Sequence, residues 1–189
     1  ADSTRRILRD LSDQNRERRA RLVSALKDDL AAADYFVSGT KQTFNGSDGE
    51  ALGKAIDYLI DNSYPKMSYL AHLHADPRRE IQTTLRADDI AALTLEVDTP
   101  ESNPKAMDAV REYIKLRNSR NEQVVLNELI VHYGKRPYGW PEDESVLIVA
   151  KLAVLKEIGL FMDAAALPVG SAYEPMTTTS KQRKVVIRE

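Results

Sequence analysis

Apolar side chains recur at helical spacing in two groups near the start of the chain: Ile7, Leu8 and Leu11, and then Leu22, Val23, Leu26 and Leu30. The residues between the two groups, 12–21, are almost all polar. Gly and Pro are absent as far as Ala33, and Ser3 or Thr4 can cap the first turn. The pattern predicts one long helix to about Ala33, whose middle faces solvent or a charged partner.

Aromatic and β-branched residues on both sides of Ser38-Gly39 predict a short β-hairpin over residues 34–44. After a break at 45–46, Ser47 or Asp48 can cap a helix that ends near Asn62. The apolar face of this helix consists of Leu52, Ala55, Ile56, Leu59 and Ile60. The N-terminal part is therefore predicted to be helical with one small hairpin.

The middle of the chain predicts short elements and a linker. Met67, Tyr69, Leu70 and Leu73 are predicted to pack in the core, and residues 87–89 can cap a short helix with Ile90, Leu93 and Leu95. Residues 99–104 are the clearest linker, and Pro104 predicts the start of a helix to about Arg117. We place a domain boundary near residue 120, which gives a helical region with a short hairpin over 1–120 and a second domain over 121–189.

The second domain has a recognisable order of elements. Val124, Val125, Leu129, Ile130 and Tyr133 predict a helix that ends at Gly134. A central core helix is predicted from residues 142–145 to Ile158, with Gly159 as its C-terminal stop. Residues 160–162 and 184–188 then predict two antiparallel strands, separated by a loop of small residues. Two helices followed by such a tail are typical of a winged helix, so the predicted fold class is α+β and mainly helical.

Composition narrows the classes of function. The 189 residues include no Cys, which excludes disulfides and thiolate catalysis and fits a reducing cytoplasm, the expected location. No apolar run approaches the ~20 residues of a bilayer span, so no membrane partner is expected. The net charge of −2 gives no global basicity for nucleic-acid binding. The start without Met and the end on a β-branched run predict a part of a longer protein.

No catalytic centre or cofactor is predicted. The sequence contains neither a Gly-rich phosphate-binding loop nor a nucleophile elbow. His72 and His74 would share a face only on a strand, and they lack a third ligand in register, so no metal site is predicted. The acidic clusters at 28–29, 88–89 and 142–144 fall where helix caps or solvated faces carry negative charge.

Two basic patches are candidate nucleic-acid contacts. In the first helix, Arg16, Arg18 and Arg19 offer planar donor forks that suit phosphate, although we favour a solvated helix with i to i+4 ion pairs. The second patch, in or beside the predicted wing, consists of Lys181, Arg183, Lys184 and Arg188. Winged-helix proteins often contact the DNA backbone there. The sequence leaves two alternatives open: the patch binds duplex DNA, or it is a solvated surface.

Residues 136–141 form the most distinctive hexapeptide, Arg-Pro-Tyr-Gly-Trp-Pro. Pro137 and Gly139 predict a tight loop. Tyr138 and Trp140 are interpreted as packing back on the helices, and the alternative is that they stack on a base or a partner.

The run 135–142, followed by the apolar helix and residues 157–160, resembles the large P-loop ATPase of bacterial BREX phage-defence systems (BrxC/PglY type). Residues 33–39 and 59–66 are also similar to the middle region of that family. The resemblance implies a regulatory or assembly segment of an ATPase that helps to exclude phage DNA together with other BREX proteins. The Walker motifs of the family are absent here, so ATP hydrolysis is not carried over.

We therefore expect a non-catalytic segment that binds duplex DNA, other BREX subunits or the rest of a parent chain. One alternative is a purely structural protein–protein interaction module, in which the basic residues pair with acids on another domain. A second alternative is an unrecognised small enzyme, which would need a deep pocket lined by convergent polar groups.

Overall fold

The computed structural model describes residues 2–46, 49–86 and 102–189. The contacts divide the chain into two compact units, Ala1–Asn62 and Ser63–Glu189. The first unit contains helix α1 (Asp2–Ala32), strands β1 (Tyr35–Val37) and β2 (Thr40–Gln42), and helix α2 (Glu50–Ser63), whose last residue begins the second unit.

Helix α1 confirms the long helix predicted from the apolar spacing. Its polar middle is exposed, and ion pairs form along its surface. Arg16 lies 3.9 Å from Asp13 and Arg21 lies 3.6 Å from Glu17. Exposed pairs of this spacing contribute only about 0.3–0.5 kcal/mol each, so they do not by themselves hold the helix together.

The hairpin β1–β2 is also confirmed, with Tyr35 opposite Gln42 and Val37 opposite Thr40. Its two turn residues, Ser38 and Gly39, both have positive φ, as a two-residue turn that matches the strand twist requires. Helix α2 confirms the predicted second helix. The capping residues predicted at 47–48 lie outside the described residues.

The second unit is built from six helices, four strands and two short 3-10 turns in the described ranges. In chain order these are a 3-10 turn (Met67–Tyr69), α3 (Pro77–Arg86), α4 (Pro104–Ser119), β3 (Val124–Val125), α5 (Leu126–Gly134), α6 (Glu142–Val154), β4 (Gly159–Met162), β5 (Ala165–Ala166), a 3-10 turn (Val169–Ser171), α7 (Tyr173–Thr177), α8 (Thr179–Gln182) and β6 (Val185–Arg188).

The strands of this unit form one antiparallel sheet in the order β3-β6-β4-β5. The order α4, β3, α5, α6, β4, β6, with β6 between β3 and β4, is the winged-helix arrangement, so the predicted α+β, mainly helical fold with a winged helix is confirmed. One detail is wrong: Val124 and Val125 are not helical but form β3. Val124 pairs with Ile187 of β6, and this tertiary pairing outweighs the helical spacing of the apolar residues.

Helix α6 confirms the predicted central core helix, because every residue from Val146 to Val154 except Lys151 is buried. Its predicted end at Ile158, with Gly159 as the stop, is wrong. The helix ends at Val154, and Lys156 takes the left-handed conformation with φ 59°. The N–H of Glu157 then donates to the carbonyl of Leu152 at 3.1 Å, which closes the helix without a glycine.

Gly159 is instead the first residue of β4. The small-residue segment predicted as a loop between the two closing strands contains β5, α7 and α8. These elements are short, and Pro175, Met176 and Gln182 are buried among them. Burial of these few side chains gives the segment its structure, although its composition carries little periodicity.

Helix α4 packs within the second unit. Its residues Ala106, Met107, Val110 and Ile114 are at most 1 % exposed in the core shared with α5 and α6. Arg111 donates to Glu157 beyond the end of α6, with Nη2 3.0 Å from Oε1. The division at 62–63 therefore differs from the boundary expected near residue 120, because the apolar face of α4 is buried against the winged helix.

Other sequence expectations for the middle region have mixed outcomes. Leu70 is buried as predicted, but Met67 and Leu73 are 41 % and 61 % exposed, so they are not core residues. The helix predicted around Ile90 and most of the linker lie outside the described residues. Within the described ranges, none of the helices combines the length and the hydropathy that a membrane crossing requires.

Candidate functional site

Helix α6 occupies the position of the helix that enters the major groove in DNA-reading helix-turn-helix proteins. Here it is covered: Ile81 and Leu85 of α3 are buried in the same core as Leu147 and Leu152. From Val146 to Val154 every side chain except Lys151 is buried, so this part of the helix has no face left for base edges. The position that usually carries sequence recognition therefore serves as the core of this domain.

The first turn of α6 is acidic, and its three carboxylates already have partners. Gln182 donates to Glu142 at 2.9 Å, and Arg78 donates to Asp143 at 3.0 Å. The hydrogen bond to Asp143 raises the pKa of Arg78 above its ordinary value. Negative charge here favours the positive end of the helix dipole and would repel DNA phosphates.

The third carboxylate, Glu144, is buried and binds His74. The backbone N–H of His74 donates to Oε1 at 2.6 Å, and its Nδ1 lies 3.1 Å from Oε2. His72 is fixed through its backbone, which exchanges two hydrogen bonds with the side chain of Asn103. The two imidazole rings are 4.8 Å apart. The pair that the sequence singled out thus docks residues 72–74 onto the starts of α4 and α6.

The four basic residues predicted at the wing lie around α8 and β6 but have different surroundings. Lys181 forms an ion pair with Glu174 at 2.7 Å, and the guanidinium of Arg188 lies 4.9 Å from the ring centroid of Phe161. Arg183 and Lys184 are exposed, and neither forms an ion pair within the described ranges. Arg183, Lys184 and Arg188 are therefore the exposed cations of the predicted patch.

The tip of the β4–β5 hairpin is acidic rather than basic. Asp163 and Ala164 have φ of 50° and 64° and form its two-residue turn. A carboxylate at this tip does not favour an approach to a phosphate backbone. The arginines of the other predicted patch, Arg16, Arg18 and Arg19, are exposed on α1, which belongs to the first unit.

The distinctive loop after α5 is held by its aromatic residues. Trp140 is 3 % exposed and stacks on Tyr133 with ring centroids 4.5 Å apart. Its indole N–H donates to the carbonyl of Lys66 at 3.3 Å. Tyr138 is half-buried, and its ring lies 4.6 Å from that of Tyr133. Packing on the helices is therefore the observed role of Trp140, while Tyr138 retains an accessible side.

Two backbone features shape this loop. The Arg136–Pro137 peptide bond is cis, and Gly139 has φ +69°. A Cβ on Gly139 would lie 2.7 Å from Cδ1 of Tyr64, which is closer than van der Waals contact allows. Position 139 therefore favours glycine, both because its φ is positive and because a Cβ there would clash with Tyr64.

Sequence reasoning missed the residues that surround Tyr138. The amino group of Lys66 lies 5.2 Å from the Tyr138 ring centroid, and His132 stacks on Tyr113 at 4.6 Å. These four residues come from four separate segments, so no local pattern connects them. A signal was available only on α4, where Lys105, Tyr113 and Arg120 recur at positions that share one side of a helix.

Comparison with known proteins gives two matches that together cover nearly the whole chain. Residues 66–189 match the family model described as the winged helix-turn-helix domain of the BREX ATP-binding protein BrxC. Residues 1–59 match the model described as the fourth domain of the same protein, with a six-stranded β-sheet. No solved structure matches the chain significantly.

Proposed function

The chain belongs to the BrxC family of BREX ATP-binding proteins, and from that premise we propose that it is a non-catalytic assembly segment that binds neighbouring BREX subunits. The matched domains are the winged-helix and fourth domains of that protein, not its P-loop domain. One observation carries the proposal: the apolar side of α1 is exposed to solvent.

The exposed side of α1 is a stripe of six large apolar side chains. Their exposed fractions range from 49 % at Leu11 to 61 % at Leu8 and Leu22. At 3.6 residues per turn, the apolar positions from Ile7 to Leu30 fall within about 160° of the helix circumference. Exposed apolar groups that share one side of a helix mark protein–protein contacts, which would remove them from water.

The middle of the stripe supports a specific contact. Asn15 lies on the same side, between the two apolar groups, with Arg18 and Arg19 beside it. A polar residue inside an apolar helix seam fixes the register of the partner, because any shifted pairing would bury it without a hydrogen bond. The predicted arginine patch would then border a protein contact.

The winged helix supports assembly rather than recognition of DNA sequence. Helix α6 is buried under α3, and its first turn bears Glu142, Asp143 and Glu144. Major-groove readout needs an accessible helix whose side chains donate to bases and phosphates. The domain has the winged-helix fold without that surface.

The test is co-purification of the tagged chain with the remaining proteins of its BREX system, each identified by mass. We expect wild-type chain to retain at least one BREX protein and Leu8→Glu/Leu22→Glu to lose it at least tenfold. Both changes place carboxylates in the stripe, where burial of a charge opposes binding.

The matched control is Ala20→Glu/Ser24→Glu, which adds the same charge to the opposite side of α1. It should retain the BREX protein at the wild-type level. Equal loss in both variants, or no loss in the stripe variant, would contradict the proposed subunit contact.

A second candidate is backbone binding of duplex DNA, favoured by the exposure of Arg183 and Lys184. Two phosphate contacts would give a slope of log affinity against log salt of roughly −1.8. Anisotropy of a labelled duplex at low and moderate salt tests it. Arg183→Ala/Lys184→Ala should weaken binding, whereas Lys135→Ala/Lys156→Ala, which removes equal charge elsewhere, should not. Absence of binding at low salt rules this candidate out.

A further inference from the structure

A groove of about 820 Å³ runs along one side of α4 in the second unit. Lys105, Tyr113 and Arg120 lie along its floor. The opposite wall is formed by Lys66, which directly precedes the first 3-10 turn, and by His132 and Tyr138 from α5 and the loop that follows it. None of these residues belongs to the wing patch or to α1.

Aromatic rings line the centre of this groove. Tyr113 and His132 stack with 25° between their planes, and the His132 and Tyr138 centroids are 5.6 Å apart. His132 is exposed, and Tyr113 and Tyr138 are partly exposed. Behind them, Tyr133 and Trp140 are buried and fix the ring positions. The Arg117 guanidinium also lies 5.9 Å from the Tyr113 centroid, so the groove presents partly exposed aromatic rings that are held in place by packing.

Cations lie at both ends of the aromatic centre. Lys105 and Arg120 are fifteen positions apart on α4, which separates them by about 22 Å along the helix axis. That distance corresponds to about six nucleotides at the ~3.4 Å rise of a stacked strand. Within the described ranges, Lys66, Lys105 and Arg120 form no ion pair, so their charge is available to a ligand.

The acidic residues of the groove are fewer than its cations. Asp108 is paired with Arg111 at 2.5 Å, and Glu112 is the other carboxylate in the lining. Partial desolvation of the ring by its neighbours, together with the charges of Arg117 and Lys66, lowers the pKa of His132 below its ordinary value. The imidazole is therefore neutral at pH 7, and its ring meets a ligand as an uncharged aromatic surface.

We propose that this groove binds single-stranded nucleic acid, with bases on the rings of Tyr113, His132 and Tyr138 and phosphates on Lys66, Lys105 and Arg120. Unpaired bases expose the flat faces that stack on such rings, whereas a duplex hides them between base pairs. Phosphates pair with flanking cations in any sequence, so binding depends on salt and little on base identity. An acidic peptide would pair with the cations but would leave the ring faces unused.

The test is a titration of the chain against fluorescein-labelled oligothymidine of about twelve nucleotides, at about 50 mM and 200 mM salt. Lys66→Ala/Arg120→Ala should weaken binding by about tenfold and make the log–log salt slope shallower by about 1.4. Tyr138→Leu should weaken binding by about tenfold with an unchanged slope, because it removes stacking and no charge.

The matched control is Lys115→Ala/Lys135→Ala. It removes the same charge at exposed positions outside the groove lining, and Lys115 is on the same helix. Affinity within twofold of wild type is expected. Circular dichroism melting establishes that each variant is folded, and if Tyr138→Leu is not, the charge variants decide alone.

The proposal would be overturned by no binding of the oligothymidine at the lower salt, by equal weakening in the control, or by equally strong binding of an oligoglutamate peptide of similar length. The wing variant Arg183→Ala/Lys184→Ala separates the two nucleic-acid surfaces. If it abolishes oligothymidine binding while the groove variants do not, the groove is not the site.

Discussion

The indole of Trp140 lies parallel to the phenol ring of Tyr133, with 6° between the planes and 4.5 Å between the centroids. The Tyr133 hydroxyl donates to the carbonyl of Ala109 on α4 at 2.8 Å. Burial raises the pKa of Tyr133 well above its ordinary value, so the hydroxyl stays protonated as a donor. This one stack therefore joins α4, α5 and the distinctive loop.

Replacing Trp140 with Ala should lower the free energy of unfolding by about 3–5 kcal/mol, because it removes a fully packed ring and leaves a cavity beside Tyr133. Denaturant unfolding followed by circular dichroism measures the loss. Leu116→Ala, at a 50 % exposed position on α4, should cost less than about 1 kcal/mol. A loss at Trp140 no larger than at Leu116 would show that the stack does not support the domain.

His74→Ala should lower the free energy of unfolding by about 1–3 kcal/mol, because the buried Glu144 carboxylate loses its imidazole partner. His72→Ala is the matched control in the same segment, since His72 is exposed and its hydrogen bonds to Asn103 come from the backbone. The same unfolding measurement compares the two variants. An equal loss of unfolding free energy in the two variants would mean that the hydrogen bond of the His74 ring to Glu144 does not stabilise the fold.

Lys156→Gly should raise the free energy of unfolding by about 1 kcal/mol, because Lys156 has a φ of 59° where glycine carries no Cβ penalty. Lys115→Gly, in the interior of α4, should lower it by about 1 kcal/mol. Because both variants lose a lysine, opposite changes in the free energy of unfolding would show that the effect at Lys156 comes from backbone strain at the end of α6. A loss of stability for Lys156→Gly would contradict the left-handed stop.

The stability of the chain should fall as the pH drops below about 6.5 in part because of His132. Its folded pKa is lower than its unfolded value, so the unfolded chain binds the proton more tightly between the two values. This contribution is complete above the unfolded pKa and declines as the pH falls through that interval. Unfolding curves at pH 5 to 8 should show a smaller decline for His132→Gln. An identical decline would contradict the environment assigned to His132.

The spacing of apolar residues was sufficient to predict the long helices, and local turn residues were sufficient to predict the hairpin. The spacing predicted α1, α2 and the core helix α6, and Ser38-Gly39 marked the hairpin. It failed at Val124-Val125 and at Gly159, where pairing with β6 and the stop at Lys156 decided the outcome. Two residues of a strand have no period to detect, and a left-handed lysine has no compositional signature.

The sequence shows which charged and aromatic residues the candidate surfaces contain. It does not show whether those side chains are exposed and unpaired, and so able to contact a partner. Arg16, Arg18, Arg19 and the wing cations could be named from charge alone. Whether Lys181 is paired depended on Glu174 of the preceding short helix, and whether Tyr138 is accessible depended on Lys66 from a distant segment. A local sequence pattern therefore could not predict which partner each surface binds.

The sequence by itself determined the helical class, the hairpin, the two closing strands near 160–162 and 184–188 and the absence of Walker motifs and cysteine, because each depends on residue type or on spacing within one segment. Only the tertiary structure decided that α6 is enclosed by α3 and that α4 belongs with the winged helix. It also brought Lys66, Tyr113, His132 and Tyr138 together. Burial and long-range contact are properties of the packed chain, since they depend on which segments meet in three dimensions.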